Sequence, residues 1–125
     1  MSLKLKTFNI YEEPRRGDGL RIAVVRFLPR GLTRSQWKFD VWLPILAPSA
    51  DLLKRMKSQS ITTAKFFSAY EREMDRPDPR HVIELLGAVA ERTVISLGCH
   101  CTDERQCHRS RLPGLIEKYR EAWQK

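Results

Sequence analysis

The residues most able to do chemistry lie close together near the C-terminal end, in "VISLGCHCTDERQCHRSRLPGLIEKY". All three cysteines and two of the three histidines fall between Cys99 and His108. Such a cluster can serve as a zinc clip, a nucleophilic thiol, a disulfide or an anion pocket. Structural zinc sites usually show C-x2-C-like knuckles, each closing a tight loop on the metal. Here one residue separates Cys99 from Cys101, and Cys107 adjoins His108. Neither spacing makes a usual knuckle, so neither a metal nor any other cofactor is expected.

Cys99 and Arg105 match C-x5-R between a strand and a helix, the layout in which loop amides and an arginine hold a phosphate while a thiolate attacks. Asp103 and Glu104 would oppose that phosphate, and the loop lacks the glycines of such a cradle. An odd cysteine count argues against a disulfide framework. Cys99 alone could simply end a buried strand as a small hydrophobe. That reading accounts poorly for Cys107-His108-Arg109, which should open the last helix. A helix start offers N–H groups and partial positive charge, so these three residues suit an anion. The anion pocket is the reading the residues favour.

The elements that must position this cluster can be read coarsely. Leu3 to Ile10 alternates like a strand, and "YEEPRRGDG" is a polar loop. "LRIAVVRFL" is a near-continuous apolar run, as in a strand covered on both faces, and stops at Pro29-Arg30-Gly31. Trp37 to Pro48 is open between a short strand and an irregular packed stretch, because Pro44 and Pro48 break any long helix. Ser49 should cap one helix and Ser60 or Thr62 a second, with Phe66, Phe67, Tyr70 and Met74 at helical spacing. Asp78-Pro79 should start a third helix running to about Arg92. "TVISLG" reads as a buried strand, and Ser110 to Trp123 as a final helix.

Strands alternating with helices predict an α/β fold over residues 1–125, a single compact domain with a parallel-dominated sheet flanked by helices. Ligands in such sheets bind beyond the carboxyl ends of the strands. If "RIAVVRF" and "TVISL" run parallel, Arg26, Arg30 and the Cys/His cluster face one crevice. Arg26, within an apolar run, then needs a carboxylate, a backbone carbonyl or a ligand; Glu73 and Asp40 are the candidate carboxylates.

Composition sets the wider limits. A chain of 125 residues with 42% hydrophobic and 30% charged residues is that of one soluble globular domain. No apolar run approaches the ~20 residues of a membrane span, and the opening is not a signal peptide, so a cytoplasmic location without membrane contact is expected. The formal charge of +8 rests mostly on arginine, whose planar fork grips phosphate. Aromatic residues are too scattered for a single-strand stacking platform.

In order, "RIAVVRFLPRG", "DVWLPILAPS", "FFSAYEREM" and "GCHCTDERQCHR" resemble the landmarks of the YeaO-like family, domain of unknown function 488. The resemblance spans Arg21 to Leu115. It marks Arg26, Pro29, Arg30 and Gly31, then Trp42, Pro48 and Ser49, then Tyr70 and Glu73, and lastly Cys99, Cys107, His108 and Arg109. It departs at Val25 and Cys101, where many members carry carboxylates. It implies a compact α/β fold and a small cytoplasmic prokaryotic protein, without an activity.

The resulting expectation is a pocket in which Arg26, Arg30 and Arg109 bind a phosphate-bearing small molecule. Cys99, Cys107 and His108 would face its reacting group. The alternatives are a nucleic-acid-binding or regulatory module, or a structural zinc site. Sequence leaves the reaction and the oligomeric state open.

Overall fold

The computed structural model describes the backbone of residues 3–100 and 107–124, and side chains as far as 122. Four strands, β1 Leu5–Asn9, β2 Leu20–Ala23, β3 Val41–Trp42 and β4 Ile95–Cys99, form one sheet in the order β1-β4-β2-β3. Every pairing is parallel, with Ala23 opposite Gly98 and Asn9 opposite Cys99. The α/β expectation holds, and β1, β2 and β4 end at one edge.

Among the described residues are four α-helices: α1 Ala50–Lys57, α2 Thr63–Met74 and α3 Pro77–Ala90 lie between β3 and β4, and α4 Leu112–Gln124 follows β4. Their apolar residues meet Ile22, Val24, Ile95 and Leu97 in the main core. The opposite face carries Phe8, Ala23 and Val25 and is covered by Phe39, Trp37 and Trp42 from the segment before and within β3. Trp37 stacks on Phe39 with ring centres 4.7 Å apart. The ambiguous Trp37–Pro48 stretch thus contains a two-residue strand followed by a 3-10 turn at Pro44–Leu46.

The expected caps hold for α1 and α2, where Ser49 and Thr62 oxygens accept from the Leu52 and Lys65 N–H groups. Helix α3 starts earlier than expected, with Pro77 rather than Pro79 at its first position, and ends at Ala90. The last helix also differs. A 3-10 turn at His108–Ser110 precedes it, and α4 proper begins at Leu112. The N–H groups of Ser110 and Arg111 bond to the Cys107 and His108 carbonyls. The α-helix expected to open near Cys107 therefore begins at Leu112, after this tight turn.

Candidate functional site

Beyond the β2 and β4 ends lies a cavity of about 520 Å³, lined almost wholly by apolar atoms. Strand β2 leads into Val25, Arg26 and Phe27 on its wall; β4 delivers Cys99 and His100; the turn before α4 delivers Cys107 and His108. Helix α1 closes the far side with Leu53, Met56, Lys54 and Lys57. The shared-edge argument from parallel strands therefore brings Arg26 together with Cys99, Cys107 and His108.

The Cys99, Cys107 and His108 side chains are all buried, and their ligating atoms lie within 4.8 Å of one another. His108 Nε2 is 2.6 Å from the Val24 carbonyl, which can only accept. That bond fixes the tautomer: Nε2 carries the hydrogen and Nδ1 presents its lone pair. Nδ1 lies 3.7 Å from Cys107 Sγ. Burial pushes the imidazole pKa below its usual 6.5, outweighing the opposing effects of Cys99 and the Val24 carbonyl. The ring is neutral at pH 7 as a result. The Tyr70 ring meets it edge-on at 5.4 Å.

Arg26 donates from Nε to the Pro48 carbonyl at 3.1 Å and from Nη2 to the Ala47 carbonyl at 3.0 Å. Backbone carbonyls satisfy it rather than Glu73 or Asp40. Glu73 instead accepts from the Ser49 N–H at 2.8 Å, and Asp40 from the Arg21 N–H. Tyr70, fully buried, donates its hydroxyl to the Leu46 carbonyl at 2.7 Å. Burial, then the two cysteines and Glu73, raise the Tyr70 pKa well above 10, so this hydroxyl stays protonated. Residues 46–49 are thus held from three sides, and that turn aims α1 over the cavity. Arg26, Pro48, Ser49, Tyr70 and Glu73, all marked by the family resemblance, form one connected clamp.

The other two arginines go elsewhere. Arg30 is exposed beside Gly31, whose φ of 82° makes the turn, and it does not line the cavity. Arg109, expected to hold a ligand from outside the core, is only 6% exposed. Its Nη1 donates to the Phe8 and Cys99 carbonyls at 3.0 and 2.9 Å, tying β1 to β4 behind the cysteines. A guanidinium can bridge two strand-end carbonyls, and this one is drawn inward by the tight turn at His108–Ser110. Cys101 and Arg105, together with Asp103 and Glu104, lie outside the described residues.

Sequence reasoning missed Lys54, Lys57 and Phe27. The two lysines stand one turn apart on α1 beside Leu53 and Met56. Their spacing was visible, but nothing in the sequence showed which face meets the strand ends. Phe27 is 63% exposed at the cavity wall, an unusual position for a large aromatic that follows a core strand.

The family described as "Active DUF488-N3 subclade" (DUF488-N3a) matches residues 5–120. Over 72 residues the chain is 28% identical to "Uncharacterized protein YeaO" of Escherichia coli strain K12, covering 58% of this chain and 63% of YeaO. The chain therefore spans less than two thirds of that relative. No solved structure matches. With the α/β fold, the Arg26–Tyr70–Glu73 clamp and the Cys99/Cys107/His108 cluster in place, the match over nearly the whole length means that this chain belongs to the YeaO-like DUF488 family, in its DUF488-N3a branch.

Proposed function

We propose that the chain binds a phosphate-bearing small molecule with a flat or apolar body, a nucleotide or a metabolite made from one, and acts on it as an enzyme. The observation that carries this reading is the cavity itself: apolar walls, cations from Arg26 after β2 and from Lys54 and Lys57 on α1, and the Cys99/Cys107/His108 group. Small-molecule sites typically enclose roughly 300–1,000 Å³ behind apolar walls with a few placed polar groups. Lys54 and Lys57 supply charge for a phosphate. Among the described residues Arg26 Nη1 makes no hydrogen bond, so one edge of its fork is left for the same anion. Phe27 supplies a face on which a base can lie. Cys99, Cys107 and His108 would meet the reacting group. That the matching subclade is described as active supports an enzyme.

The charge of +8 supports a second reading, a nucleic-acid or regulatory module using an extended basic face. In that case affinity falls steeply with salt and depends little on the cavity.

Thermal unfolding with adenosine, guanosine and uridine monophosphates, the matching nucleosides and inorganic phosphate tests the first reading. At least one nucleotide should stabilise the protein by about 2.7 kcal/mol at a hundredfold excess over Kd. Nucleoside or phosphate alone should do much less. The exposed pair Lys54→Gln/Lys57→Gln should weaken that nucleotide by about tenfold or more, given ~1.5–3 kcal/mol for hydrogen bonds to charged groups. No shift with any nucleotide, or an equal shift with inorganic phosphate in the double variant, overturns the reading.

A further inference from the structure

We infer that Cys99, Cys107 and His108 form a metal site for a zinc-class divalent ion, with its fourth position open to the cavity. The knuckle spacing that argued against zinc in the sequence applies to clips closed by one loop. Here the ligands come from two separate elements, the end of β4 and the turn before α4. Their three ligating atoms lie within 4.8 Å of one another and are buried. A tetrahedral zinc, with Zn–S of about 2.3 Å and Zn–N of about 2.0–2.1 Å, separates sulfur from nitrogen by about 3.6 Å and two sulfurs by about 3.8 Å. The Cys107 Sγ–His108 Nδ1 distance is already 3.7 Å. The two pairs that include Cys99 lie within 4.8 Å, so shifts of about 1 Å bring them to these separations.

The surroundings also suit a metal. A ligating histidine almost always donates its other ring N–H to a carboxylate, a carbonyl or water, which fixes the ring and its tautomer. His108 does so to Val24 and points the lone pair of Nδ1 at the cluster. Arg109 holds the Cys99 carbonyl, fixing the backbone that carries the first thiolate. Two thiolates and one imidazole are a soft set that selects zinc over magnesium or calcium. Three protein ligands with an open position are the arrangement of catalytic rather than structural zinc. All three ligands line the cavity, so the open position faces whatever binds there. An ion there would polarise an oxygen of that ligand or of a water. The inference rests on the proposed cavity only for this last role.

The test needs no organic ligand, so its failure is separate from failure of nucleotide binding. Protein purified without chelator is assayed for metals. It is then stripped and titrated with cobalt(II), whose thiolate charge-transfer and tetrahedral d–d bands report ligand type and geometry. Wild type should hold about one zinc or cobalt per chain with both sets of bands. Cys99→Ser and Cys107→Ser should each weaken binding at least tenfold, and Cys101→Ser should bind as wild type. Circular dichroism of each stripped variant establishes that it is folded. If a cysteine variant does not fold, zinc competition against a chromophoric chelator on wild type still decides the stoichiometry. Less than a tenth of an ion per chain in wild type overturns the site. So does retention by Cys99→Ser and Cys107→Ser with loss in Cys101→Ser.

Discussion

His108 sits where three constraints meet: the Val24 carbonyl at Nε2, Cys107 near Nδ1 and the Tyr70 ring against its edge. Burial holds its pKa below 6.5, with Arg109 and His100 acting in the same direction and Cys99 against them. A depressed histidine pKa means that the unfolded chain binds more protons than the native one as pH falls through 6.5. Its contribution is therefore complete above that value and is lost on acidification towards the native pKa. In chelator, unfolding free energy should decline as pH falls below about 6.5, the ordinary histidine range. His108→Gln should flatten that decline while lowering stability at pH 7.5. Denaturant unfolding at several pH values checks this, and an unchanged slope in the variant would assign it to other groups. Sequence singled out Cys99, Cys107 and His108 by type and proximity alone. It could not show that Arg109 turns inward, since only the 3-10 turn at His108–Ser110 makes that direction available.

The positions of β2, β4 and the residues after them were legible because buried parallel strands read as apolar runs. Parallel pairing of β2 with β4 then forces both carboxyl ends to one edge, which is why the crevice was foreseen. Element limits were less legible. Helix α3 takes Pro77 where Asp78-Pro79 gave the stronger local signal, and α4 starts after a turn that local sequence does not distinguish from helix. Lys54 and Lys57 stayed hidden because the direction of α1 depends on the Arg26, Tyr70 and Glu73 bonds to residues 46–49. A similar constraint sits in the middle of β4. Gly98 lies opposite Phe8, whose ring covers it, and a Cβ at Gly98 would collide with that ring. Arg21 in turn lies 4.0 Å over the same ring. Gly98→Ala should therefore cost about 1–3 kcal/mol or more by overpacking. Moving Phe8 also disturbs the carbonyl that Arg109 holds. A mid-point in denaturant equal to wild type would mean that the ring relocates without loss.

At the scale of the whole molecule the helices gather on one face of a small parallel sheet, and the segments on either side of residues 29–31 and before β3 cover the other. No described helix is long and apolar enough to cross a membrane. The basic charge belongs to the entire chain, whereas among the described residues the cavity gathers Arg26, Lys54 and Lys57. Charge alone therefore does not separate a pocket enzyme from a nucleic-acid module; the location of binding does. Amide NMR mapping of a titration with the most stabilising nucleotide measures that location residue by residue. The account predicts shifts concentrated at 25–27, 50–57, 66, 99–100 and 107–108, saturating at one ligand per chain. Shifts spread along exposed basic residues away from the cavity, or none at these positions at saturation, would contradict it.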